Sequence, residues 1–150
     1  VNRRLFAEQV EFNRFYTIIK DFIKARLGHP VVRVELTDFQ ILTAVDEAIS
    51  KLVENETKYK AALLYQTFDH ITELKTVIPH PVNRSKTVCV SEVLGGNTGL
   101  IEHLKSKQLI IGSGYGGFKD QHIRIANFPA HSKESIEMLV DEIGKYFEDK

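Results

Sequence analysis

The chain has 150 residues, enough for one domain with a real core, and its 43% hydrophobic and 27% charged composition excludes disorder along its whole length. Lys and Arg number 20 and Asp and Glu number 20, so the formal net charge is zero, which leaves no basic face for nucleic acid or an anionic membrane. Cys89 is the single cysteine, which excludes an intramolecular disulfide and a thiolate metal cluster.

The charge balance holds along the chain, with 8 basic and 7 acidic residues over 1–53. No apolar run approaches the length of a membrane span, and no signal-peptide pattern opens the chain. The expected compartment is a reducing cytoplasm. The chain opens on Val1 and its one methionine is Met138, which fits a fragment, a processed chain or an unusual start codon alike.

Phe12, Phe15, Ile19, Phe22 and Ile23 recur at helical spacing and predict an amphipathic helix over 8–27. Gly28 and the His29-Pro30 pair end it. Val32, Val34 and Leu36 alternate with Arg33 and Glu35, which suggests a short strand. Thr37 with Gln40 three residues on is a capping box, and Ile41, Val45, Ala48, Ile49 and Leu52 follow on one face. They predict a helix over 38–53. A further helical stretch over 58–69 either continues it or starts afresh at Asn55-Glu56-Thr57.

Residues 71–85 read as irregular, with Pro79 and Pro81 among them. Then the period changes. Residues 87–93 are β-branched and alternating, residues 98–107 are helical, residues 109–111 read as a strand, and 122–126 as another. Ser132 is placed to cap a last helix with Ile136, Leu139, Val140, Ile143 and Phe147 as its buried stripe. The expected class is α+β. A small, largely antiparallel sheet carries helices on one face and follows a two-helix N-terminal segment. The expected division is a helical leader over 1–53 and a second domain over 54–150.

Gly112, Gly114 and Gly117 match G-x-G-x-x-G. A dinucleotide loop must join a strand to a helix, whereas this one leads toward another strand, so the Rossmann reading fails on context. Two readings remain. One is a hairpin-type loop that needs glycine. The other is a pocket wall whose N–H groups, with the Ser113 and Tyr115 hydroxyls, meet an anion. Arg124 sits mid-strand, on the face opposite Ile123 and Ile125. It is either a solvated Arg or one that grips a carboxylate with its planar fork. The six histidines show no metal-ligand spacing, so no metal is expected. No nucleophile elbow occurs, and Cys89 reads as a small buried residue.

The phrases Lys58-Tyr59-Lys60-Ala61-Ala62-Leu63-Leu64-Tyr65, Arg84-Ser85-Lys86-Thr87-Val88, Gly95-Gly96-Asn97, and the runs from Ile110 to Gly116 and from Ile123 to Glu134 occur in this order. Over about 55–150 the chain thereby resembles the C-terminal small domain of phosphoserine aminotransferase, a class V enzyme using pyridoxal phosphate. The resemblance implies that the strand arginine, Arg124, binds a substrate carboxylate, with Ser113 and Tyr115 in the neighbouring loop. It also implies a small amino or keto acid as partner, a part in serine biosynthesis, and pyridoxal phosphate as cofactor of the intact family. The best-known family form carries a His-Arg pair in this loop for the substrate phosphate. Here Ser113 and Tyr115 stand nearby, with Lys119 the nearest cation, so the substrate stays open.

The large domain that holds the Schiff-base lysine has no counterpart in residues 1–53. The chain alone is therefore expected to bind no cofactor and to be inactive. Residues 1–53 resemble a tailed-phage virion structural protein instead, around Val32 to Ile41 and Val45 to Leu52. Together the two resemblances imply a chimera joined near 53–57. The alternative function is a structural or assembly protein without catalysis, with a homodimer formed through the N-terminal helices.

Overall fold

The computed structural model describes the backbone of residues 3–31 and 33–148, and the side chains of residue 11 and of residues 13–31 and 33–148. The chain divides into two compact units, Val1–Leu52 and Val53–Lys150. No helix among the described residues is long and apolar enough to cross a membrane.

In the first unit, helix α1 spans Arg3–Arg26 and so starts before the predicted 8–27. Its end is a Schellman motif. Gly28 takes a φ of 96°, its N–H donates to Ala25 O at 3.0 Å, and the His29 N–H reaches back to Lys24 O at 3.1 Å. A residue with a Cβ is strained at that φ, which is why glycine stops the helix here. The stretch 33–37 forms no strand, and Val32 lies outside the described residues. Period-2 alternation over so few residues needs a neighbouring ladder to become a strand, and none is at hand.

Helix α2 spans Asp38–His70. The capping box forms as expected: Gln40 N–H donates to Thr37 Oγ1 at 3.2 Å, and Thr37 N–H donates to Gln40 Oε1 at 2.8 Å. Lys20 and Lys24 of α1 reach the Asp38 carboxylate at 3.0 and 2.7 Å, and Tyr16 donates to Asp46. The two lysines hold the Asp38 carboxyl below its ordinary pKa. These contacts fold the first unit as an antiparallel helical hairpin. Ile19 and Ile23 are half-buried, but Phe15 and Phe22 are 49% and 63% exposed. The apolar stripe is wider than the one neighbouring helix can cover. The Phe12 side chain lies outside the described residues.

Helix α2 does not break at Asn55-Glu56-Thr57. The Thr57 hydroxyl donates to Val53 O, and Lys58 pairs with Glu54 four residues back, so both polar residues are accommodated within the turns. In the second unit its Ala61, Leu64, Tyr65 and Phe68 face the core. Strands β1 (Leu74–Thr76), β2 (Val88–Val93), β3 (Gly112–Ser113) and β4 (His122–Ala126) form one antiparallel sheet in the order β1-β2-β4-β3. Helices α3 (Thr98–Ser106) and α4 (Lys133–Glu148) add Leu100, Leu104, Ile136, Leu139 and Ile143 to the same core. The register Cys89↔Ile125 and Ser91↔Ile123 puts those four residues on the helix-covered face. Val90↔Arg124 and Glu92↔His122 fall on the other. The α+β class with two N-terminal helices is the one expected.

Two elements differ from the sequence reading. Strand β1 lies inside the stretch read as irregular, because Leu-Lys-Thr carries no strand signal and is held by its pairing with β2. Leu109-Ile110-Ile111 is not a strand. The ladder starts one residue later, where Gly112 faces Arg124, and Ile110 is 88% exposed.

Candidate oxyanion-binding site

Arg124 lies at the middle of β4, between Val90 of β2 and Gly112 of β3. Alternation along β4 turns it away from the helices, so its side chain crosses the open face of the sheet. Its Nε–H donates to Ser113 O at 2.6 Å. The guanidinium carbon lies 3.6 Å from the centroid of the Tyr115 ring, which is 73% exposed. The planar cation is thus fixed along one edge by a carbonyl and on one face by an aromatic ring. Its two terminal nitrogens have no hydrogen-bond partner among the described residues. They form a rigid two-pronged donor that matches a carboxylate or phosphate.

The glycines shape this site. A Cβ on Gly112 would stand 3.2 Å from an Arg124 terminal nitrogen, inside the lane the guanidinium occupies. A Cβ on Gly114 would stand 2.1 Å from the Phe118 carbonyl oxygen, which no side-chain movement relieves. The loop then makes a single turn of 3-10 helix, Gly116–Phe118, and returns into β4. It joins strand to strand, as its context implied. Buried Asn97 holds the return, its amide donating to Lys119 O at 2.8 Å and His122 O at 2.6 Å. Phe118 and His122 stack at 4.6 Å beside it.

The structure therefore brings together Arg124, Ser113 and Tyr115. It joins them differently from the expectation that hydroxyls face an anion: Ser113 works through its carbonyl and Tyr115 through its ring. Sequence reasoning missed Asn97, whose amide is the anchor of the loop. It also missed a second fork: Arg84 binds the Asp69 carboxylate at 2.7 and 3.2 Å and donates to Ile78 O at 3.1 Å. The hydrogen bonds from Arg84 hold the Asp69 carboxyl below its ordinary pKa. That pair fastens the 78–84 segment to α2 and is already saturated.

Cys89 is fully buried, and burial pushes its thiol up to about 11. It is no nucleophile at neutral pH. Among the described residues no three His, Cys, Asp or Glu side chains gather to hold a metal ion.

Pyridoxal phosphate needs an uncommitted lysine amine and a carboxylate against its ring nitrogen. The one fully buried lysine among the described residues is Lys60. Its ammonium donates to His131 O at 2.5 Å and Phe128 O at 3.3 Å, with Glu56 at 3.8 Å. No Asp or Glu is among the buried residues described. These residues do not fit the cofactor: the amine in the interior is tied to carbonyls, and no interior acid accompanies it.

The four-stranded antiparallel sheet with helices on one face is similar to part of two aminotransferases. The chain is similar to a phosphoserine aminotransferase from Cytophaga hutchinsonii at 27% identity and a TM-score of 0.61, over 71% of this chain and 30% of that one. It is similar in fold to an aspartate aminotransferase from Thermus thermophilus at 16% identity and a TM-score of 0.58, over 75% of this chain and 32% of that one. The chain thus spans about a third of the length of these enzymes. No curated protein matches it. The family described as bacteriophage T4 neck protein gp13 matches residues 13–140, and the chain belongs to that family. The match begins in α1 and runs through the sheet into α4, well beyond the 1–53 stretch in which the phage resemblance is legible by eye.

Proposed function

We propose that this chain is a structural component of a phage neck, in which an aminotransferase-type fold serves as a body without that enzyme's chemistry. The observation that carries the reading is the family relationship over residues 13–140. In this reading residues 1–53 are an assembly segment and 54–150 a packed body. The state of Lys60 supports it, because a buried amine held by two carbonyls is a structural bolt. Immunogold labelling of purified virions of a phage that encodes the chain tests the proposal. Label on the neck is the expected result. Virions free of the chain overturn it.

A second reading rests on Arg124, whose free fork suits the carboxylate of an amino or keto acid. Here 54–150 is the substrate-closing domain of a phosphoserine:2-oxoglutarate aminotransferase-like enzyme, and a separate cofactor-binding domain supplies the chemistry. Calorimetric titration of the chain and of an Arg124→Ala variant with phosphoserine and with 2-oxoglutarate separates the two. Saturable binding that the variant loses favours the closing domain. No binding by either chain favours the structural role.

A further inference from the structure

The two flanks of α1 differ. The flank with Tyr16, Ile19, Lys20 and Ile23 is half-buried, and its polar members reach Asp38 and Asp46 on α2. The opposite flank carries Phe15, Ile18 and Phe22, which are 49%, 60% and 63% exposed, followed by exposed Ala25. The spacing is three, four, three, which is the spacing of a and d positions in a heptad. The three large side chains leave roughly 350 Å² of apolar surface in water, the size of the largest patch on an ordinary monomer, which is often functional. A symmetric pair would cover at most about 700 Å² of apolar surface, which places it among the small, weakly associating interfaces.

The g and e charges beside this seam favour one direction, and Glu11 at the preceding d position confines the paired stretch to Phe15–Ala25. With Phe15 and Phe22 at a, Ile18 and Ala25 take d, Asp21 takes g and Arg26 takes e. Neither Asp21 nor Arg26 has an ion-pair partner among the described residues. Arg26 leans along its own seam, 6.0 Å from the Phe22 ring centroid. In a parallel pair a g residue meets the e residue of the following heptad on the other helix, which sets Asp21 against Arg26 twice over. An antiparallel pair that layers Phe15 on Ala25 and Ile18 on Phe22 brings the two Asp21 carboxylates together.

We infer that α1 pairs in parallel with α1 of a second copy, with Phe15, Ile18, Phe22 and Ala25 as the seam and Asp21 meeting Arg26 of the other copy. The pairing goes beyond the neck role and does not depend on it, since a closing domain could pair in the same way.

Sedimentation equilibrium on the full chain, with an Ala25→Cys variant oxidised in parallel, tests the inference. Ala25 is exposed and its replacement small, and Cys89 is buried, so the fold and the background are both safe. The expected results are a dimer mass and a disulfide-linked dimer of the variant. The Asp21→Arg change weakens association by about tenfold, and adding Arg26→Asp restores it. A single-chain mass up to roughly 1 mM, the weak limit of specific association, overturns the pairing. A dimer that neither cross-links nor recovers with the double change overturns the parallel direction.

Discussion

Replacing Lys60 with methionine separates a structural lysine from an amine held in reserve. The Lys60 side chain is 1% exposed, and its ammonium donates to His131 O and Phe128 O. Methionine fills nearly the same space, so the cavity term is small. What is lost is the pair of charge-assisted bonds, which leaves His131 O without its donor, while Phe128 O keeps the His131 N–H at 3.0 Å. The orphaned carbonyl costs about 1–3 kcal/mol, and the apolar side chain offsets part of what the second bond adds. The Glu56 contact adds little, because at 3.8 Å it reaches a carboxylate 42% exposed. The net loss is about 1–3 kcal/mol. With a urea dependence of roughly 1–2 kcal/mol per molar, the midpoint falls by about 0.5–3 M. The chain has no tryptophan, so tyrosine emission, to which buried Tyr65 contributes, follows the transition. A midpoint shift under about 0.5 M would refute the assignment of Lys60 as a bolt and would leave its amine free for chemistry.

A Gly114→Ala change pushes a Cβ against the Phe118 carbonyl and should destabilise the second unit by about 2–4 kcal/mol, read as a lower melting temperature, whereas Gly117→Ala, which meets nothing, should be near neutral. The Asp69 carboxyl is held below its ordinary value of 3.8 by Arg84, so the pair's contribution is present above pH 3.8 and is lost as pH falls through the lower folded value. Acid titration of an Arg84→Ala variant should show a shallower loss of stability below that pH, by a modest amount because Asp69 is half-exposed. Cys89 should resist a thiol reagent at pH 8 in the folded chain and react at once in urea; rapid labelling without denaturant would contradict its burial.

What the sequence discloses depends on how local the deciding contact is. The Thr37–Gln40 box and the Gly28 stop act within a few residues, so α1's end and α2's start are legible. Helix α2's passage through Asn55-Glu56-Thr57 is not. Those side chains favour a break by themselves, and the Thr57 and Lys58 contacts that offset it become visible only in the folded turns. Strand β1 exists because β2 is there to pair with it, a contact 15 residues away at Thr76↔Ser91 and 19 at Leu74↔Val93. At the site, alternation along β4 was enough to aim Arg124 at the open face. The ring of Tyr115 and the carbonyl of Ser113 that immobilise it arrive from another strand and its loop, and no spacing rule encodes which atom of Ser113 is presented. Asn97 was legible only as part of a turn, since its two acceptors come from residues more than 20 positions later.

The sheet's margins are unusually brief: three residues in β1 and two in β3. A free margin that short offers almost no backbone template to another chain, so stacking of sheets into fibres finds nothing to grow from. Contact with another chain is thereby left to side chains, which can be selective, and is withheld from the backbone, which cannot.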